Sequence, residues 1–273
     1  MSMNPFDLQA PIAGIKKIIL VGSGKGGVGK STVAANLALA MKQSGQKVGL
    51  LDADIHGPSI PRMFGALYQK PSFVKSETGK ARMQPLVRHG LFLMSIGFIV
   101  EESQAVIWRG PMLFKALDQF LHDVDWGELD YLVVDLPPGT GDVALTMAQR
   151  VPVAGAVIVC TPQNLALVDA RKAVDMFQQV HVPILGVIEN MSYLNLPGAN
   201  GSPSQRVQLF PRGELNSYLD QLKIPKLGEI AFDPHIGLSS EAGIPIVASE
   251  PDGAISQQFS DIAEKVIRAT TTE

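Results

Sequence analysis

The run Gly22-Ser23-Gly24-Lys25-Gly26-Gly27-Val28-Gly29-Lys30-Ser31-Thr32 constrains this chain more than any other stretch. The apolar residues 17–21 precede it and read as a buried parallel strand; residues 33–42 follow with helical composition and spacing. Strand, glycine-rich turn and helix form the context in which G-x-x-x-x-G-K-[ST], matched here by Gly24, Gly29, Lys30 and Ser31, holds phosphate. Glycine lets the backbone curl until the N–H groups of Gly26, Gly27, Val28, Gly29, Lys30, Ser31 and Thr32 converge on an anion. The helix that follows adds its positive end. Lys30 is placed to reach the β- and γ-phosphates of ATP or ADP, and the Ser31 hydroxyl to ligate Mg²⁺.

Two further strands end in acids. Gln46-Lys47-Val48-Gly49-Leu50-Leu51-Asp52-Ala53-Asp54 is the first, and acids at the carboxyl end of a parallel strand face the ligand crevice. Asp52 is a candidate to hold a Mg²⁺-bound water and Asp54 to orient the attacking water; helix capping is the alternative for both. Asp130-Tyr131-Leu132-Val133-Val134-Asp135 is the second strand, followed by a Pro/Gly turn. Asp135 is there the expected Mg²⁺-ordering carboxylate, and Gly139 can offer a backbone N–H near the γ-phosphate. Residues 154–160 and 184–190 read as two more buried strands around a helix at 164–180. The second ends in Asn190, whose amide suits the donor and acceptor edge of adenine or, alternatively, a plain turn.

Alternation of strands and helices predicts an α/β fold, a doubly wound, mostly parallel sheet with helices on both faces. The expected organisation is a short arm, 1–14, and one ATPase domain, 15–273. Residues 91–98 read as a strand, 108–121 as an amphipathic helix, and 70–83 as a surface loop; 63–106 is otherwise the least legible part. With 46% apolar residues the core is ample, and a net charge of −3 without a dense Lys/Arg cluster speaks against nucleic acid as the main partner. No apolar run reaches the roughly 20 residues a bilayer requires, and residues 255–272 lack the basic amphipathic character of a membrane-targeting helix. Cys160 is the one cysteine, which excludes an intrachain disulfide and fits a reducing, cytoplasmic setting.

Lys25, a second lysine within the glycine run, resembles the deviant Walker A loop of the MinD/ParA/nitrogenase-iron-protein class of ATPases. That resemblance implies an ATP-dependent homodimer in which Lys25 reaches the neighbour's nucleotide. A narrower resemblance, to the Mrp/ApbC family, rests on residues 52–61, 107–112, 125–131, 135–142, Glu189-Asn190-Met191-Ser192-Tyr193, Phe232-Asp233-Pro234 and 241–247. It implies a homodimeric ATP-binding iron–sulfur cluster carrier, with the segment at Asp233 and Pro234 lying by the adenine. The family usually presents Cys-Pro-x-Cys after the Glu-Asn-Met-Ser-Tyr block. Here Leu196 and Ala199 flank Pro197 at those places. An all-thiolate cluster needs four cysteines, so the usual bridging cluster cannot form from this chain's own thiolates. Histidine ligands, a thiolate-bearing iron–sulfur partner protein, or no cluster at all are left, although His56, His89, His122, His181 and His235 lack metal-ligand spacing. The competing functional class is a cluster-free, ATP-driven dimer switch that regulates or positions a protein partner. A small-molecule kinase lacks a recognisable acceptor block.

Overall fold

The computed structural model describes residues 9–55, 57–75, 79, 81–99, 110–139, 141–196, 205–211 and 214–271. His56, Trp108, Arg109, Pro197 and Ala199 lie outside them, as do residues 1–8 of the expected arm. In chain order the elements are β1 (Ile15–Gly22), α1 (Lys30–Gln43), β2 (Val48–Asp52), α2 (Ile60–Met63), β3 (Ser72–Lys75), β4 (Ala81–Gln84), β5 (Leu86–Arg88) and β6 (Leu91–Ser95). Then come α3 (Gly110–His122), β7 (Leu129–Asp135), α4 (Gly141–Arg150), β8 (Gly155–Cys160), α5 (Asn164–Gln179), β9 (Ile184–Glu189), β10 (Leu194–Leu196) and β11 (Gln205–Val207). The chain closes with α6 (Leu215–Leu222), β12 (Lys226–Glu229), α7 (Pro234–Glu241), α8 (Ile246–Ser249) and α9 (Ala254–Thr271).

Eight strands form one sheet in the order β12-β9-β8-β1-β7-β2-β6-β5. Every neighbouring pair is parallel except β5–β6. The central strands are apolar on both faces, as helix-covered parallel strands must be; Ile19, Leu20, Val21, Val133 and Val134 are fully buried. Helix α1 packs on β2, β7, α8 and α9, while α5 packs on β8, β9, α4 and α6, so the helices form two separate layers. Phe177 of α5 lies fully buried beneath the backbone of Gly22, where a Cβ would come within 2.7 Å of its ring. That contact lays α5 directly against the start of the phosphate loop.

The register sets the site. Val21 pairs with Asp135, and Asp135 pairs with Asp52 on its other side. The carboxyl ends of β1, β7 and β2 therefore stop at one level, and the glycine loop and both acids share one rim.

Two expectations need correction. Residues 70–83 are not loop throughout: β3 and β4 make an antiparallel hairpin, with Phe73 opposite Met83. Tertiary docking stabilises it, because Met83 donates its N–H to Asp123 and accepts that of Asp125, both at 2.8 Å. The strand expected over 91–98 ends at Ser95, whose side chain accepts the Gly97 N–H and turns residues 96–98 into a 3₁₀ turn. Of the arm, residues 9–12 are tied down: the Ala10 N–H donates to the Arg150 carbonyl, and Ile12 is buried.

Candidate phosphate-binding site

Helix α1 begins without a cap. Gly29 precedes it at φ 79°, no side chain accepts from its first turn, and that turn holds no acid. An α-helix leaves its first N–H groups without intrahelical partners. Here nothing from the protein's side chains competes for them, which leaves a positive end facing the loop. The left-handed conformation at Gly29 and its packing both exclude a side chain: a Cβ would stand 2.3 Å from the Asn190 amide nitrogen. At Gly24 a Cβ would stand 1.8 Å from the Asp169 carbonyl oxygen, so the loop's first turn lies against the backbone of α5. The cavity above the loop measures about 200 Å³ and is lined by the loop's Gly26, Gly27 and Gly29 to Thr32 together with Ser23, Lys25, Asp54 and Pro138.

Charges beneath the loop are arranged around Lys30. Its ammonium, 6% exposed, lies 2.5 Å from Asp135 Oδ1 and 3.7 Å from Asp54 Oδ2, and donates to the Ser31 hydroxyl at 3.3 Å. Asp135 is fully buried, and its Oδ2 has no hydrogen-bond partner among the described residues. Burial pushes the Asp135 carboxyl above its ordinary range, against the pull of the Lys30 ammonium and the Ser31 hydroxyl. Asp52 is pushed up to about 8, first by burial and then by the neighbouring Asp135. Three carboxyls thus crowd one ammonium. An orphaned carboxylate oxygen beside a serine hydroxyl fits a hard, oxygen-seeking cation such as Mg²⁺, which keeps several waters and takes few protein ligands. In keeping with that sparse ligand set, no group of three or more His, Cys, Asp and Glu suited to a metal occurs among the described residues.

Asp52 sits in a hydrogen-bond network that includes the first N–H of α2, as the capping alternative expects. Its oxygens accept from the Asp54 N–H at 3.1 Å, the Ile60 N–H at 3.2 Å and the Ser95 hydroxyl at 2.9 Å. It ties the turn after β2 to α2 and β6, and so holds Asp54 in place. Gly139, at φ 67°, donates its N–H to the Ser23 carbonyl at 3.1 Å; a phosphate can take that donor only if the bond breaks. Asn190 donates its side-chain amide to the Val28 carbonyl at 2.8 Å and is buried, bracing the loop from behind. Asp233 caps α7 by accepting the His235 N–H at 2.9 Å, with Pro234 in the first turn. The segment 230–232 runs beside the Glu189–Tyr193 turn through bonds to the carbonyls of Glu189 and Tyr193, which places Asp233 and Pro234 on the chain just beyond that turn.

Lys25 stands apart from this set. One-third exposed, it forms an ion pair of 3.0 Å with Asp169 of α5. Asp169 was invisible to sequence reasoning, being 144 positions away on a helix without a motif; only the fold joins them. Cys160 ends β8 buried, and burial, with Glu189 beside it, pushes its thiol up to about 12.

This geometry agrees with what the chain resembles. A family model described as NUBPL iron-transfer P-loop NTPase matches residues 14–267. The chain belongs to that family. The iron-sulfur cluster carrier protein of Aquifex aeolicus is 48% identical over 264 residues, covering 96% of this chain and 70% of that protein. The iron-sulfur cluster transfer protein NUBPL of Mus musculus is 44% identical over 262 residues, covering 95% and 79%. A solved nucleotide-binding protein of Archaeoglobus fulgidus, in complex with ADP, matches with a TM-score of 0.75 at 37% identity over 94% of this chain and 97% of that one. MinD of Pyrococcus furiosus shares the fold, with a TM-score of 0.62 at 20% identity over 92% and 98%. The family is one of P-loop NTPases, and no helix among the described residues is long and apolar enough to cross a membrane.

Proposed function

We propose that this chain binds ATP with Mg²⁺ and hydrolyses it slowly as one half of a homodimer, in the service of iron–sulfur cluster assembly in the cytoplasm. The observation that carries the ATPase reading is the buried Lys30, Asp135 and Asp54 set directly beneath an uncapped helix and a glycine loop. The amides of Gly26 to Thr32 bind the phosphates, and Lys30 leaves Asp135 for the γ-phosphate as nucleotide enters. Ser31 and Asp135 would hold Mg²⁺, which would supply positive charge to offset that of the triphosphate. Asp52 fixes the turn that carries Asp54, and Asp54 aligns the attacking water. Lys25, once released by Asp169, neutralises the triphosphate of the second copy. Asn190, Asp233 and Pro234 form the wall for the adenine.

The test is Asp54→Ala. Nucleotide binding by calorimetry is expected to stay within a few-fold, while hydrolysis falls by about a hundredfold, the low end for a lost proton-handling group. Unchanged turnover removes Asp54 from the reaction.

The cluster is cargo, and this chain's own thiols do not fit it. Its one cysteine is buried on β8 with its thiol held protonated, and Leu196 of β10, 43% exposed, stands where the family resemblance places a thiolate. Thiolates therefore come from a partner iron–sulfur protein. The same observation favours a second reading, a cluster-free dimer switch. Anaerobic reconstitution with iron and sulfide separates the two. The carrier reading expects iron and visible absorption only when a cysteine-bearing partner is present; no nucleotide-dependent iron uptake with any such partner leaves the switch.

A further inference from the structure

The hairpin of β3 and β4 has no place in the nucleotide chemistry, yet it is built to present a surface. It is a separate two-stranded sheet. Strand β4 is anchored through Met83 to the chain beyond α3, which leaves β3 paired on one side only among the described strands. An edge strand of this kind offers a row of unpaired N–H and C=O groups. Phe73, on β3, is 69% exposed, and Tyr68, just before it, is 91% exposed. Among the described residues Phe64, Phe120, Trp126, Phe177 and Phe259 are fully buried or nearly so, and the next most exposed aromatics, Phe232 and Phe114, are 43% and 39% exposed. Successive strand residues alternate faces, so Phe73 and Lys75 project from the same one.

Charge singles out the same segment. Residues 62–90 contain six Lys and Arg against one acid, Glu77, a net of +5 within a chain of net −3, so the remainder carries −8. Arg82 is partly neutralised by Asp125 at 3.8 Å and Arg62 by Glu241 at 4.0 Å, both contacts on the surface. Lys75 has no ionic partner among the described residues and is exposed. Exposed aromatic anchors beside cations are the composition of interface hot spots, where Tyr and Arg are enriched. An unpaired edge adds main-chain hydrogen bonds to that recognition.

We propose that β3 is a docking edge for an extended acidic segment of a partner protein, which adds to the hairpin as a third strand. Main-chain bonds to β3 supply affinity. Phe73 and Tyr68 take apolar side chains of the segment, and Lys75 with its basic surroundings selects carboxylates. The lone lysine on a four-residue edge also discourages self-pairing between copies, which would bring Lys75 toward its own kind. The inference is independent of the ATPase reading, and hydrolysis measured alongside keeps the two apart.

The probe is a short alternating Glu–Val peptide, titrated into the whole chain, with amide hydrogen exchange and NMR shifts as readout. Saturable binding that slows exchange at residues 72–75 is expected, with a Lys–Val peptide failing to bind. Phe73→Ser is expected to weaken binding about tenfold and Lys75→Glu about two- to fivefold, with circular dichroism and urea unfolding unchanged in both variants as proof of folding. Equal binding of the Lys–Val peptide overturns the proposal. So does protection that appears elsewhere or not at all. If phosphatidylserine vesicles bind through Phe73 while the Glu–Val peptide leaves residues 72–75 unprotected, the surface is a lipid contact and the proposal fails.

Discussion

The two ends of the glycine loop hold their lysines differently. At the helix end, Lys30 is buried between Asp135 and Asp54, inside a set of acids fixed by β7 and β2. At the strand end, Lys25 is one-third exposed and tethered by a single carboxylate from α5, Asp169, which Lys172 also approaches at 3.9 Å. A buried ammonium flanked by two carboxylates is confined to the cradle of its own chain, within reach of whatever enters above the loop. The Lys25–Asp169 pair is partly exposed, at 34% and 17%, and one carboxylate alone holds the lysine, so it is the looser of the two tethers and the one a competing anion can open. When it does, Lys172 remains beside Asp169. The difference teaches that one loop can hold two lysines in unlike ways, one built into the cradle and one on its rim, which is what the proposed role of Lys25 toward a second copy requires.

Lys25→Gln breaks this comparison most severely. Nucleotide affinity of the isolated protomer is expected to stay within a few-fold, while hydrolysis falls by about a thousandfold, the scale of losing a cation supplied across an interface to the transferred phosphoryl group. Analytical ultracentrifugation with a non-hydrolysable ATP analogue is expected to show loss of self-association. A variant that still dimerises and turns over makes the two ends of the loop equivalent in kind.

Lys30→Ala sharpens the contrast from the other side. Affinity for Mg·ATP is expected to fall by about a hundredfold or more, because a buried charge partner is lost and Asp135 faces the phosphates uncompensated. Calorimetry reads the loss, and circular dichroism checks that the fold survives. If instead affinity holds and only hydrolysis drops, the buried lysine serves the transition state alone.

The two ends also differed in how readable they were. Gly24 to Thr32, Asp54 and Asp135 could be placed from sequence because each sits at a strand end and its chemistry needs a fixed local spacing. The doubly wound sheet followed from the alternation of apolar strands and helices. Asp169 could not be placed, since its meeting with Lys25 depends on how α5 packs under Gly22 through Phe177. Asn190 was read for adenine by its chemistry, but its bond to Val28 crosses 162 positions and has no local signal. The β3–β4 hairpin did leave a trace: Phe73 and Val74 favour a strand, and Gly79, at φ 78°, supplies the turn. Four-residue strands amid charge, Gly and Pro are weak evidence on their own, and the docking of Met83 onto the chain beyond α3 decided the matter.

The most direct probe of the buried acids is the pH dependence of stability. Asp52 titrates near 3.8 in an unfolded chain and at about 8 in the fold, raised by burial and by Asp135. Between those values the folded protein holds the proton and the unfolded chain does not. Stability is therefore expected to fall as pH rises through the window, and to level off above about 8. The slope for one proton is at most about 1.4 kcal/mol per pH unit, measured by urea unfolding without nucleotide or metal. Asp52→Asn keeps the shape, has no titrating group, and is expected to flatten the slope while leaving Lys25 and its ion pair untouched. A slope that persists in Asp52→Asn assigns the proton to Asp135, whose carboxyl is also raised, and moves the electrostatic strain from the anchor of the β2 turn to the partner of Lys30 itself.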